Sequence, residues 1–143
     1  MTTATTTTTT MNSDKKKRIL LVDDEHDIAL AFKISLENNG FTVDAFNDPE
    51  EALSNFEAGL YDLLLIDIKM PKMNGFELYR EIEKIDNKPK ICFITAFEVY
   101  YRSLRELFPT VKVDCYIKKP ITTDDLVQRI KSELVTTDTS SSS

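Results

Sequence analysis

No stretch of this chain approaches the ~20 consecutive apolar residues that a helix needs to cross a bilayer, so membrane insertion is not expected. The N-terminus has no apolar core of a secretory signal. Basic residues are outnumbered, giving a net charge of −6, which argues against non-specific binding to nucleic acid or to an anionic membrane. Cysteine is scarce: Cys92 and Cys115 lack metal-type spacing and sit inside apolar runs, so they read as buried, reduced thiols of a cytoplasmic protein. Glycine is scarce too, and none lies in the first acidic turn, Val22-Asp23-Asp24-Glu25-His26-Asp27. That turn would repel a pyrophosphate unless a cation intervened, which disfavours dinucleotide binding.

What is present is one domain's worth of core, 41% hydrophobic residues in 143. Residues 1–16 form a Thr-rich tail and 136–143 a Ser/Thr tail; both carry too little apolar surface to offset the entropy of ordering, so disorder is expected there. The run Lys15-Lys16-Lys17-Arg18 reads as a solvated entry to the first strand. Between the tails, 17–135 alternates between short apolar runs and helical patterns. Leu63-Leu64-Leu65-Ile66 ends in Asp67 and is closed by Pro71, the pattern of a strand buried on both faces. Further strands are expected over 19–22, 41–46, 90–95 and 113–117.

Helices are expected between them. The first spans 25–38, with Ile28, Phe32 and Leu36 on one face and Asn39-Gly40 as its stop. The second starts at Asp48-Pro49 and runs through Ala58, with Gly59 closing it. The third follows Asn74-Gly75 and uses Phe76, Tyr79, Ile82 and Ile85; a fourth spans 98–108. A fifth is capped by Thr122 and carries Leu126, Ile130 and Leu134. Five βα units imply parallel strands with right-handed crossovers, hence a flavodoxin-like doubly wound α/β fold of strand order 2-1-3-4-5.

In such sheets ligands bind at the carboxyl ends of the strands. Asp23 and Asp24 end the first strand and Asp67 the third, its neighbour in that order. Asp23 and Asp24 could instead simply cap the first helix. With Asp67 beside them, three crowded acids are better explained by a hard divalent cation, Mg²⁺ or another such as Mn²⁺. Thr95 ends the fourth strand, and Lys119 follows the fifth, immediately before Pro120. Carboxylates, a cation, a hydroxyl and an ammonium suit a phosphoryl group. No serine, cysteine or histidine is placed to attack it, whereas Asp67 is, and a carboxylate can accept a phosphoryl group as an acyl phosphate.

Four segments in register, Val22-Asp23-Asp24, Ile66 to Gly75, Ile94-Thr95-Ala96 and Lys118-Lys119-Pro120, resemble the response-regulator receiver domain of two-component signalling. The resemblance spans about 18–135. It implies that Asp67 takes a phosphoryl group from a histidine kinase or phosphotransfer protein. It further implies that Asp24, Asp67 and the Lys69 carbonyl bind Mg²⁺, with Asp23 acting mainly through water, and that Lys119 contacts the phosphate. Thr95 and Tyr116 are then the switch pair, although Tyr116 also reads as a plain strand-edge aromatic. The family's output surface is the fourth helix, fifth strand and fifth helix. In this chain the fourth helix is apolar beyond one buried face, at Val99, Tyr100, Tyr101, Leu104, Leu107 and Phe108, which predicts an exposed patch for a downstream protein or a second copy. Phe97 is expected to hinder the water that attacks the acyl phosphate. His26, the only histidine, reads as a solvated helix-start residue. The chain is thus expected to be a phosphoacceptor switch rather than a turnover enzyme, acting by partner contact or as a fragment of something longer. Two other classes remain. An aspartyl phosphatase of the haloacid-dehalogenase type would need an acid where Lys69 stands. A flavin-binding flavodoxin-like module would need a Ser/Thr/Gly-rich loop where Asp23-Asp24-Glu25 stands.

Overall fold

The computed structural model describes residues 16–96, 102, 106–109 and 115–142. Five strands, β1 (Arg18–Val22), β2 (Thr42–Phe46), β3 (Leu63–Asp67), β4 (Lys90–Thr95) and β5 (Cys115–Lys118), form one sheet of order β2-β1-β3-β4-β5. Every pairing is parallel. Among the described residues, four full helices connect or follow them: α1 (His26–Asn38), α2 (Pro49–Asn55), α3 (Gly75–Ile85) and α4 (Thr123–Ser142). This is the doubly wound α/β fold with the expected strand order.

Alternation along the strands divides the core in two. Ile19 and Leu21 of β1, Leu63 and Leu65 of β3, Cys92 and Ile94 of β4, and Cys115 and Ile117 of β5 point to one face. There they meet Phe32 and Leu36 of α1 and Leu126, Ile130 and Leu134 of α4. The intervening Leu20, Val22, Leu64, Ile66 and Phe93 meet Ala52 of α2 and Phe76, Leu78, Tyr79 and Ile82 of α3 on the other face. All five residues of β3 are buried, which is why its sequence is a continuous apolar run ending in one acid. Both cysteines are free and buried, and they pair in register across β4 and β5. The Cys115 contact, then burial, push the Cys92 thiol up, so it stays protonated.

The local stop and start signals act as their chemistry requires. The Asp48 side chain accepts a hydrogen bond from the Glu50 N–H at 3.2 Å, with Pro49 at the first helical position. Asn74 and Glu77 form a reciprocal capping box at 2.8 and 2.9 Å. Thr122 Oγ1 accepts from the Asp125 N–H at 3.0 Å. Gly40 ends α1 with φ of 96°.

Several expectations need correction. α2 stops at Asn55, three residues before Ala58, because Phe56 turns extended and stacks on Tyr61 with ring centroids 5.6 Å apart. Ile85, the last residue of α3, is half exposed, although it lies on the same side of the helix as Leu78, which is seven residues earlier and buried. β5 extends one residue past Ile117, to Lys118. Phe97, Val99, Tyr100, Tyr101, Leu104 and the expected strand start at Val113 lie outside the described residues. From the predicted fourth helix, Leu107 is largely exposed, while Phe108 is half-buried against Phe76 (5.9 Å between centroids) and under the Arg80 guanidinium (5.4 Å).

Candidate functional site

The site is built by the strand register. β1 and β3 run in step, Val22 beside Ile66, so the residues that follow, Asp23 and Asp67, emerge side by side at the carboxyl edge. Asp67 pairs with Ile94, which puts Thr95 one step further along, and Thr95 pairs with Lys118, so Lys119 follows at the same edge. The Lys119 N–H donates to the Thr95 carbonyl at 2.8 Å, extending the ladder by one bond, and a cis peptide bond joins Lys119 to Pro120.

Asp23, Asp67, Thr95 and Lys119 are the buried polar or charged residues among those described, and all four stand at this edge. Lys119 Nζ lies 2.9 Å from Asp23 Oδ2, 2.9 Å from Glu25 Oε1 and 3.6 Å from Asp67 Oδ2. Burial lowers the Lys119 pKa, but its contacts with Asp23 and Glu25 more than offset this and push it up to about 12, so the ammonium stays charged. Burial first, and the neighbouring Asp23 carboxylate second, push the Asp67 carboxyl up to about 8, against the downward pull of Lys119. Asp23 is fully buried. Its Oδ1 accepts from the Glu25 N–H at 3.0 Å, but its Oδ2 makes no well-directed hydrogen bond despite the nearby ammonium. A buried carboxylate oxygen beside a second acid is the kind of hard oxygen donor that a divalent cation takes.

Asp23, Glu25 and Asp67 bring carboxylate oxygens within 4.8 Å of one another. Of the three acids expected to hold a metal, the structure therefore brings Asp23 and Asp67 together, with Glu25 as the third. Asp24 is exposed but lines the same cavity of about 640 Å³, together with Lys69, Ala96 and Lys119. Tyr116 is half-buried on β5, 6.0 Å from the Phe93 ring, and packs against the core.

The loop after Asp67 is held tightly. The Met73 N–H donates to the Pro71 carbonyl at 2.7 Å while Lys72 adopts φ of 73°, the pattern of a strained γ-turn. The Gly75 N–H then closes back on the Ile68 carbonyl at 2.8 Å. Two residues at the site escape a reading by motif. One is Glu25, whose signal was its place as the third acid of the turn. The other is Asn47, whose Nδ2 donates to the Asp23 carbonyl at 2.9 Å and whose Oδ1 lies 2.9 Å from His26 Nδ1. His26 is thereby tied to the loop at the rim.

Residues 19–131 match the family described as the response regulator receiver domain. Among characterised relatives, the transcriptional regulatory protein DltR of Streptococcus agalactiae is 35% identical over 109 residues, covering 76% of this chain and 48% of that protein. The response regulator ArlR of Staphylococcus saprophyticus is 33% identical over 112 residues, covering 78% and 50%. The chain thus spans about half the length of the curated relatives it matches. Among solved structures, a CheY-like response regulator receiver domain protein from Methanospirillum hungatei superposes with a TM-score of 0.76 at 32% identity, covering 88% of this chain and 99% of the other. The response regulator TrrA of Thermotoga maritima, solved in complex with Mg(2+)-BeF, gives 0.68 at 37% identity, covering 81% and 97%. With the strand-end acids, threonine and lysine in the order already described, the chain belongs to the response regulator receiver domain family.

Proposed function

We propose that Asp67 accepts a phosphoryl group from the phosphohistidine of a histidine kinase or phosphotransfer protein, and that the chain works as a switch rather than a turnover enzyme. The observation that carries this reading is the buried Asp67 carboxylate at the end of the central strand, beside a charged Lys119. An Asp67 carboxylate oxygen attacks phosphorus, the P–N bond breaks, and its electron pair returns to the imidazole of the donor. Lys119 neutralises phosphoryl oxygens, as a buried ammonium does best. Asp23, Asp24, Asp67 and the Lys69 carbonyl are an all-oxygen set suited to Mg²⁺, which supplies charge neutralisation when bound. The TrrA complex with Mg(2+)-BeF supports this, since beryllofluoride has the charge and tetrahedral shape of a phosphoryl group.

Thr95 is the hydroxyl that follows the phosphoryl group, and Tyr116 turns inward behind it. The reader is a downstream protein or a second copy, on the face made by the predicted fourth helix, β5 and α4. Incubation with Mg²⁺ and acetyl phosphate, followed by intact mass, is expected to add one phosphoryl group to the wild type and none to Asp67→Asn. Equal labelling of both would reject Asp67 as the acceptor.

A further inference from the structure

Glu25 has no part in the transfer just described, yet it holds one of the two shortest contacts to Lys119. It occupies the N-cap position of α1 but makes no side-chain capping hydrogen bond there. Its carboxylate reaches instead to a lysine 94 residues away and accepts a hydrogen bond from Lys119 Nζ at 2.9 Å. The result is an ammonium drawn to Asp23 and Glu25 and held off Asp67, whose Oδ2 at 3.6 Å is beyond hydrogen-bond distance. The two close partners differ in how easily they let go. Asp23 is fully buried and has no water to turn to, whereas the Glu25 side chain is 58% exposed and is rehydrated at little cost once released.

We propose that Glu25 is a positioning residue that competes with the phosphoryl group on Asp67 for Lys119, and so limits how tightly the site holds that group. The inference rests on the reading of Asp67 as acceptor. It adds no covalent step: one hydrogen bond of Lys119 passes from Glu25 Oε1 to a phosphoryl oxygen, and the freed carboxylate turns to solvent.

The test uses the full chain at fixed Mg²⁺, with beryllofluoride binding measured by calorimetry. Glu25→Ala is expected to bind the mimic about threefold to tenfold more tightly, the range for a partly exposed charged hydrogen bond. Glu25→Asp keeps the charge but loses the reach, so it should behave like Glu25→Ala; if only the negative field of residue 25 mattered, it would behave like the wild type. In a Lys119→Ala background the Glu25→Ala gain should vanish. An unchanged or weaker affinity in Glu25→Ala overturns the proposal, as does a gain that survives without Lys119. A fall in Mg²⁺ affinity in Glu25→Ala would make the residue a metal ligand and overturn it equally. If the wild type itself binds no beryllofluoride, the acceptor reading fails and takes the proposal with it. Binding by the wild type with matching Glu25 variants sinks the proposal alone.

Discussion

Without divalent cations, Asp67→Asn is expected to melt higher than the wild type, by on the order of 2 kcal/mol or more in stability at pH 8. The reason is the site itself. Asp67 is buried beside Asp23, and both burial and that neighbour disfavour its charged form. Each pKa unit corresponds to about 1.4 kcal/mol, and Asn keeps the shape while removing the charge that must otherwise be desolvated. The pH dependence follows with a definite sign. Between 3.8, where a free Asp carboxyl titrates, and about 8, the folded chain retains a proton that the unfolded chain has released. Wild-type stability therefore falls as pH rises through that window and levels above it. Asp67→Asn should lose this slope. Mg²⁺ should then restore stability to the wild type at high pH and do little for the variant. Thermal unfolding with a chelator and with Mg²⁺, from pH 5 to 9, checks all of this. A wild type whose stability rises across the window would show that the acids are not crowded as described. On the proposed reading, the two acids stand together at a cost in stability that cation binding relieves.

Gly75→Ala should have a comparably large effect in the opposite direction, for a steric reason. A Cβ at Gly75 would stand 2.4 Å from the Asp67 carbonyl oxygen and 2.9 Å from the Ile68 Cα. Both are backbone atoms at the end of β3, at Asp67 and the residue after it, so neither can swing aside as a flexible side chain would. Alanine is ordinarily the better helix residue by about 1 kcal/mol, yet here the overlap dominates. Overpacking of this kind costs about 1–3 kcal/mol, for a melting temperature lower by roughly 10 °C. Because relief requires β3 and α3 to separate at Asp67, labelling by acetyl phosphate should also slow at temperatures where the variant is folded. A variant as stable as the wild type would mean that α3 can shift without moving Asp67.

How much of this was written plainly in the sequence differs from element to element. β3 and β4 are legible to the residue, because a strand buried on both faces must be apolar throughout and its ends are set by Asp67 and Thr95. The helix starts at Asp48-Pro49, Asn74-Gly75 and Thr122 are equally legible, since capping is local chemistry. The end of α2 is not, because Phe56 leaves the helix for a ring partner five residues on. Nor is the exposure of Ile85: it shares a helix side with buried Leu78, seven residues earlier, but is the last residue of α3, and periodicity alone does not say how far along a helix the cover extends. At the site, Asp23, Asp67, Thr95 and Lys119 could be placed together because strand order and strand ends alone bring them to one edge. Which of Asp23, Asp24 and Glu25 would reach Lys119 could not. Asp24 and Glu25 differ only by loop geometry, fixed in part by the Asn47 bond to the Asp23 carbonyl from a different strand end.

The central claim is that the Asp23–Asp67 pair at the sheet edge is a cation site. Its most direct measurement is a calorimetric Mg²⁺ titration of the wild type and Asp67→Asn at pH 8. One saturable ion per wild-type chain, bound more weakly as pH falls and at least about tenfold more weakly by the variant, is the predicted result. No saturable binding to the wild type, or equal binding to both proteins, would contradict it.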